Sequence, residues 1–243
     1  MSYALLSATD HDDACAVDHD RARGKNIMGL GYAVRSRLGK YEPAVSEAYR
    51  ARFIDLGVLA TTVASLAPGA SRVAEIGCGD GSMAAAILAE MPSAEYVGID
   101  VADNPGRLFA GDRSRVRFVS QPSSELVVTE AGTFDVVLVV DVVHHVADSE
   151  RVSLLADAAA LLRPGGLLIF KDWERGRGAA HLLAYGSDRY VSGDRTVRFM
   201  PLEELHELAA KAAPGFELAV ECRVPPRRNN VLLALRKPAT PTL

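Results

Sequence analysis

Apolar positions along the chain change period several times, and the changes mark out its elements. From about residue 43, Tyr49, Phe53, Leu56, Leu59, Val63 and Leu66 recur at three- and four-residue steps. That spacing predicts a helix with one apolar face, stopped by Pro68-Gly69. Residues 72–76 then read as a strand, 82–89 as a small-residue helix ended at Met91-Pro92, and 96–99 as a second strand finishing in Asp100. Residues 103–110 hold at most a short helix, and 116–119 predict a third strand. The β-branched run at 134–140 predicts a fourth strand, the most buried of the set. A helix over 149–162 is cut off by Pro164-Gly165-Gly166, and 167–170 form a fifth strand.

The rhythm lapses between residues 171 and 200, a connection of the kind that covers active sites. Residues 201–212 return to helical spacing, and 216–224 and 231–236 read as two strands. The short connection between those two, Pro225-Pro226-Arg227-Arg228-Asn229-Asn230, implies an antiparallel pair. Strands alternating with helices imply parallel strands covered on both faces. The expected fold is therefore α/β: a doubly wound, mostly parallel seven-stranded sheet with an antiparallel C-terminal hairpin and helices on both faces. Residues 1–40 are expected to be a flexible segment that orders over a ligand, 41–237 one domain with a lid-like insertion at about 171–200, and 238–243 a tail.

Composition narrows the class. A chain of 243 residues and 25.9 kDa suits one large core. The longest apolar run, at about 134–143, is interrupted by Asp135 and Asp141 and is too short to span a bilayer. The N-terminus has no basic start followed by an apolar stretch, so a cytoplasmic protein is expected. Three widely separated cysteines, Cys15, Cys78 and Cys222, argue against a disulfide framework, and no CxxC-like metal spacing occurs. The aspartates and histidines of residues 10–20 lack any apolar period that would fix them as metal ligands, so no metal is expected. A net charge of −4 gives no general attraction to nucleic acid or anionic membrane.

The chemistry centres on VAEIGCGDGSMAAAIL, residues 73–88. A dinucleotide fingerprint, GxGxxG or GxGxxA, would need its third small residue at position 82, where Ser82 stands, and Gly81 falls one place early. Gly77, Gly79 and Gly81 instead alternate after an acidic Glu75. That acid would repel a pyrophosphate but would suit a cationic amine.

VAEIGCGDG resembles the first motif of class I S-adenosylmethionine-dependent methyltransferases. GIDVAD at 98–103, FDVVLVVDVVHHV at 134–146, LLRPGGLLIF at 161–170 and the terminal hairpin are similar to that family's later motifs, in order. The resemblance covers about residues 60–170 well and 200–237 loosely. It implies S-adenosylmethionine as cofactor, with Gly77, Gly79 and Gly81 beside its methionine part, Glu75 fixing the loop or reaching the amino group, and Cys78 without a redox role. It also implies that Asp100 accepts from both ribose hydroxyls and that Asp141 borders the cofactor. The family's frequent Gly-Asp-Ala after the third strand is replaced here by Ser120-Gln121-Pro122-Ser123, so Gln121, Ser123 or backbone groups would read the adenine.

A hydroxyl or ammonium acceptor must lose a proton, and histidine suits that task near neutral pH. In the family the loop after the fourth strand borders the transferred methyl, which makes His144 the favoured base. Neighbouring His145 is a candidate for the acceptor pocket, with one of the two histidines structural. Asp172 at the end of the fifth strand is a second candidate base. Trp173, Tyr185, Arg189 and Tyr190 are candidates for lining the acceptor pocket, and arginines there would suit a carboxylate or phosphate. The expected function is O-methylation of a small molecule. Methylation of RNA or at another nitrogen, a nicotinamide oxidoreductase and a noncatalytic protein of the same fold are the alternatives. The acceptor and the monomeric or dimeric state are not readable from the chain.

Overall fold

The computed structural model describes residues 55–175, 197–226 and 228–239. The 1–40 segment, the first part of the predicted helix and most of the predicted lid lie outside the described residues.

Helix α1, Leu56–Leu66, begins where the Asp55 carboxylate accepts from the Val58 N–H, which satisfies one of the helix's unpaired first-turn donors. Then come β1 (Arg72–Ile76), α2 (Ser82–Glu90), β2 (Glu95–Asp100), β3 (Val116–Ser120), α3 (Ser123–Glu130) and β4 (Phe134–Val140). The chain continues through α4 (Arg151–Leu161), β5 (Leu162–Trp173), α5 (Leu202–Ala212), β6 (Glu217–Val224) and β7 (Asn230–Arg236). The seven strands form one sheet in the order β3-β2-β1-β4-β5-β7-β6. Pairing is parallel from β3 to β5, while β7 runs antiparallel to both β5 and β6.

Each face of the sheet carries its own core. On one side α1 and α2 bury Leu59, Val63, Met83 and Ile87 against Val73, Val136 and Leu138. On the other, Leu126 of α3, Leu155 of α4 and Leu205 of α5 pack over Ala74, Val137, Leu168 and Phe170. Residues alternating along β1 and β4 thus serve opposite faces, the arrangement of a doubly covered parallel sheet. Phe134 and the run Val136–Val139 are almost wholly removed from water.

Two local features differ from expectation. Helix α3 is added between β3 and β4; Leu126 alone of its residues is buried, so its sequence carries little amphipathic signal. Residues 103–110, expected to hold at most a short helix, form bends and turns. Strand β5 is longer than predicted at both ends: Leu162 pairs with Phe134 and Leu167 with Val136, so Pro164-Gly165-Gly166 lies in an irregularity within the strand instead of ending the preceding element. At its other end the pairing with β7 continues through Lys171, Asp172 and Trp173, which orders the strand end that carries these side chains.

Candidate active site

β1 and β4 are neighbours at the centre of the sheet, and the chain leaves both toward the same edge, where the strand order reverses. An open α/β sheet presents a cleft at such a point. A cavity of about 670 Å³ lies there, lined by Gly77, Asp100, Gln121, Asp141 and His145 among others.

The first wall is the glycine turn after β1. Gly77 has φ +77°, a left-handed backbone that disfavours side chains, and a Cβ there would lie 2.3 Å from a methyl of Val142. The Gly77 and Cys78 N–H groups both donate to the Ile99 carbonyl, tying the turn to the end of β2. Gly81, at φ +86°, stands at the start of α2, where a Cβ would meet the Gly106 backbone at 2.9 Å. Cys78 is buried, and burial, with the charges of Glu75 and Asp100 behind it, pushes its thiol far above the usual range. This is the opposite of a reactive thiolate. Glu75 is buried in β1 and accepts a hydrogen bond from the Tyr96 hydroxyl of β2. Burial, then the charge of Glu75, holds that hydroxyl protonated well above its ordinary pKa.

The second wall is Asp100. One of its oxygens accepts from Gly79 N–H at 2.8 Å and the other from Ala102 N–H at 2.9 Å. An ionised carboxylate has about four acceptor positions, so both oxygens keep capacity for a vicinal diol while the backbone holds them in place. The Gln121 N–H donates to the Asp100 carbonyl, which brings Gln121 to the same cavity. The glycine turn, the oriented carboxylate and the open volume between them fit a nucleoside-bearing methyl donor.

The third wall follows β4. Asp141 has φ +57°, its N–H donates to the Lys171 carbonyl, and its carboxylate accepts from Lys171 Nζ at 2.5 and 2.6 Å. A 3₁₀ turn, Val143–His145, then places the two histidine rings in contact, with centroids 4.0 Å apart. The tight turn overrides the divergence expected of neighbouring side chains. Their settings differ: His145 lines the cavity, whereas His144 is only 2% exposed. His144 Nδ1 lies 2.5 Å from Asp172 Oδ1, and its backbone N–H donates to Asp172 Oδ2. The two candidate bases are therefore one unit rather than two alternatives. Burial alone would raise the Asp172 carboxyl, but the His144 charge and hydrogen bond, the Trp173 N–H and Lys171 hold it below the usual carboxylate range. Trp173 is buried with Val197 and Phe199, and Phe199 also lies against the His144 ring. Tyr185, Arg189 and Tyr190 lie outside the described residues. Lys171 is fully buried, although a lysine ending an apolar strand ordinarily marks the start of solvent.

The sequence model of a family described as "Methyltransferase domain" matches residues 46–219. The chain belongs to this family. A ubiquinone biosynthesis O-methyltransferase of Bordetella avium is 32% identical over 108 residues, 43% of each chain. One from Escherichia fergusonii is 28% identical over 163 residues, 65% of each chain. The matched part is thus less than two thirds of these curated relatives' length. Among solved structures, the 1,6-didemethyltoxoflavin-N1-methyltransferase of Burkholderia thailandensis superposes with a TM-score of 0.58 at 24% identity, covering 84% of this chain and 87% of its own. That likeness carries the fold, the mixed seven-stranded sheet of the S-adenosylmethionine-dependent class I methyltransferases. No helix among the described residues is long and apolar enough to cross a membrane.

Proposed function

We propose that the protein transfers a methyl group from S-adenosylmethionine to a hydroxyl of a small molecule, with His144 as the general base and Asp172 orienting it. The observation that carries this reading is the continuity of one cavity from the Asp100 carboxylate, past Gly77 and Asp141, to His145, whose ring lies against that of His144 behind it. Asp100 would take the ribose hydroxyls, the Gly77–Gly81 turn the amino acid part, and Gln121 the adenine side. When bound, S-adenosylmethionine would supply an electrophilic methyl carbon on a sulfonium, with the neutral thioether as its leaving group.

The protein's contribution is alignment and proton removal. Holding the reactants in line replaces a bimolecular encounter with a positioned one, which accounts for much of the acceleration. With Nδ1 committed to Asp172, Nε2 of His144 is the nitrogen that takes the acceptor proton, and the Asp172 carboxylate stabilises the imidazolium that results. His145 as the base is a second reading, favoured by its place in the cavity wall. An oxygen acceptor is supported by the two curated relatives, both ubiquinone biosynthesis O-methyltransferases. A net charge of −4 favours a small-molecule acceptor over nucleic acid.

The test is incubation with methyl-labelled S-adenosylmethionine and panels of phenolic, aliphatic hydroxyl and amine acceptors. Label appearing on oxygen supports the proposal. Label confined to nitrogen removes the acceptor assignment, and no transfer with any panel or with an extract of the source cells removes the catalytic one.

A further inference from the structure

Lys171 is the largest charged side chain fully removed from water among the described residues, and no step above employs it. A buried ammonium is costly unless paired. Here both oxygens of Asp141 lie within 2.6 Å of Nζ. The same two residues are joined a second time, by the Asp141 N–H to the Lys171 carbonyl at 3.0 Å. This double link closes around a residue at φ +57°, a left-handed backbone uncommon for residues with side chains though one that aspartate takes more readily than most. The next residue, Val142, supplies the methyl that a Cβ on Gly77 would strike, and the histidine turn follows at once. Lys171 therefore anchors the point from which the donor wall and the base turn both hang.

The pair also sets charge. Asp141 lines the cavity with its side chain 29% exposed, whereas Lys171 is wholly enclosed. The carboxylate faces the donor cleft with its counter-charge fixed behind it. Asp141, His144 and Asp172 each offer a donor atom within 4.8 Å of the others, a grouping that attracts a cation, and the Lys171 ammonium already stands on the Asp141 member. A methyl donor carries a sulfonium charge that its thioether product lacks. A carboxylate left bare beside the cleft would hold the cationic donor more tightly than the product, and a neutralised one much less so.

We propose that Lys171 is a positioning residue of the donor cleft: its buried ammonium fixes Asp141 and the turn after β4, and by neutralising that carboxylate sets the cleft's balance between cationic donor and neutral product. This rests on the donor reading given above. By limiting the extra hold on the donor, the pair keeps binding free energy from being spent on the ground state, where it would not speed the transfer.

Calorimetry with S-adenosylmethionine and S-adenosylhomocysteine on the full chain tests it, comparing the native protein with Lys171→Met, Asp141→Asn and the double variant. The ratio of product Kd to donor Kd is expected to rise roughly tenfold in Lys171→Met, to fall in Asp141→Asn, and to return near the native value in the double variant. A purely structural lysine would weaken both ligands alike, and an unchanged ratio in Lys171→Met overturns the proposal while leaving the donor reading intact. If the native chain binds neither ligand, it is the donor reading that falls. Should Lys171→Met fail to fold, as judged by circular dichroism, the Asp141→Asn ratio decides: a fall supports the proposal and no change overturns it.

Discussion

His144 and Asp172 are 28 residues apart in sequence and meet because β4 and β5 are adjacent parallel strands ending at the same edge. Each is almost fully buried, and each satisfies part of the other's hydrogen-bonding capacity. An ordinary general base contributes about 10²–10⁴-fold. Replacing His144 by Ala is accordingly expected to lower turnover by about 10²–10³-fold while donor affinity changes less than about threefold, with steady-state kinetics and calorimetry as the two readouts. The His145→Ala substitution separates the readings: a loss as large as that of His144→Ala transfers the role to the residue that lines the cavity. Gly77 is the other residue with sharp consequences. Its left-handed φ and the 2.3 Å approach to Val142 leave no room for a methyl, so Gly77→Ala is expected to weaken donor binding at least tenfold and to lower Tm, measured by calorimetry and thermal melting.

Elements are held in register by polar contacts as well as by core packing, and Asp135 is the clearest case. From the first turn of β4 its carboxylate accepts from the N–H groups of Ser71 and Arg72, the Ser71 hydroxyl and Arg163 Nε. Those donors join the starts of β1, β4 and β5. Partial burial works to raise the carboxyl's pKa, but Arg163, the two N–H groups and the hydroxyl outweigh it and bring it down to about 2. A depressed folded-state pKa means that the contribution is complete above the unfolded value near 4 and is lost as pH falls toward 2. Asp135→Asn is expected to cost about 1–2 kcal/mol at pH 7 and to flatten the dependence of stability on pH between about 4 and 2. Denaturant titrations across that range measure both; an unchanged acid limb would contradict it.

The same scale shows what the chain discloses in advance. β1, β2 and β4 were readable because apolar alternation and long β-branched runs follow directly from burial on two faces. The glycine turn was readable because close backbone approach restricts which residues can serve, and Asp100 was singled out by the resemblance of its motif. α3 was not, since it contributes one buried residue and a helix needs several to show its period. The extension of β5 through Pro164-Gly165-Gly166 was hidden by residues that ordinarily end an element. The Asp141–Lys171 pair depends on a contact across two strands, and no spacing along the chain signals it. Neither did any spacing reveal that His144 and Asp172 are joined by two hydrogen bonds.

Over the whole molecule, a doubly covered parallel sheet sets the cleft at the reversal of strand order; strand ends build its main walls, and Ser123 of α3 with Ser153, Leu154 and Asp157 of α4 close its remaining side. β1 supplies the glycine turn, β2 the Asp100 carboxylate, β4 the histidine turn and β5 the two charges that secure it. The central claim is the proposal that Asp100 and the glycine turn hold the methyl donor. Calorimetric titration of the full chain with S-adenosylmethionine, alongside the Asp100→Ala variant and with NAD as control, tests this most directly. One donor site per chain is expected, competed by S-adenosylhomocysteine, weakened at least tenfold by Asp100→Ala and unaffected by NAD. Affinity unchanged by Asp100→Ala, or binding of NAD in place of S-adenosylmethionine, would contradict the account.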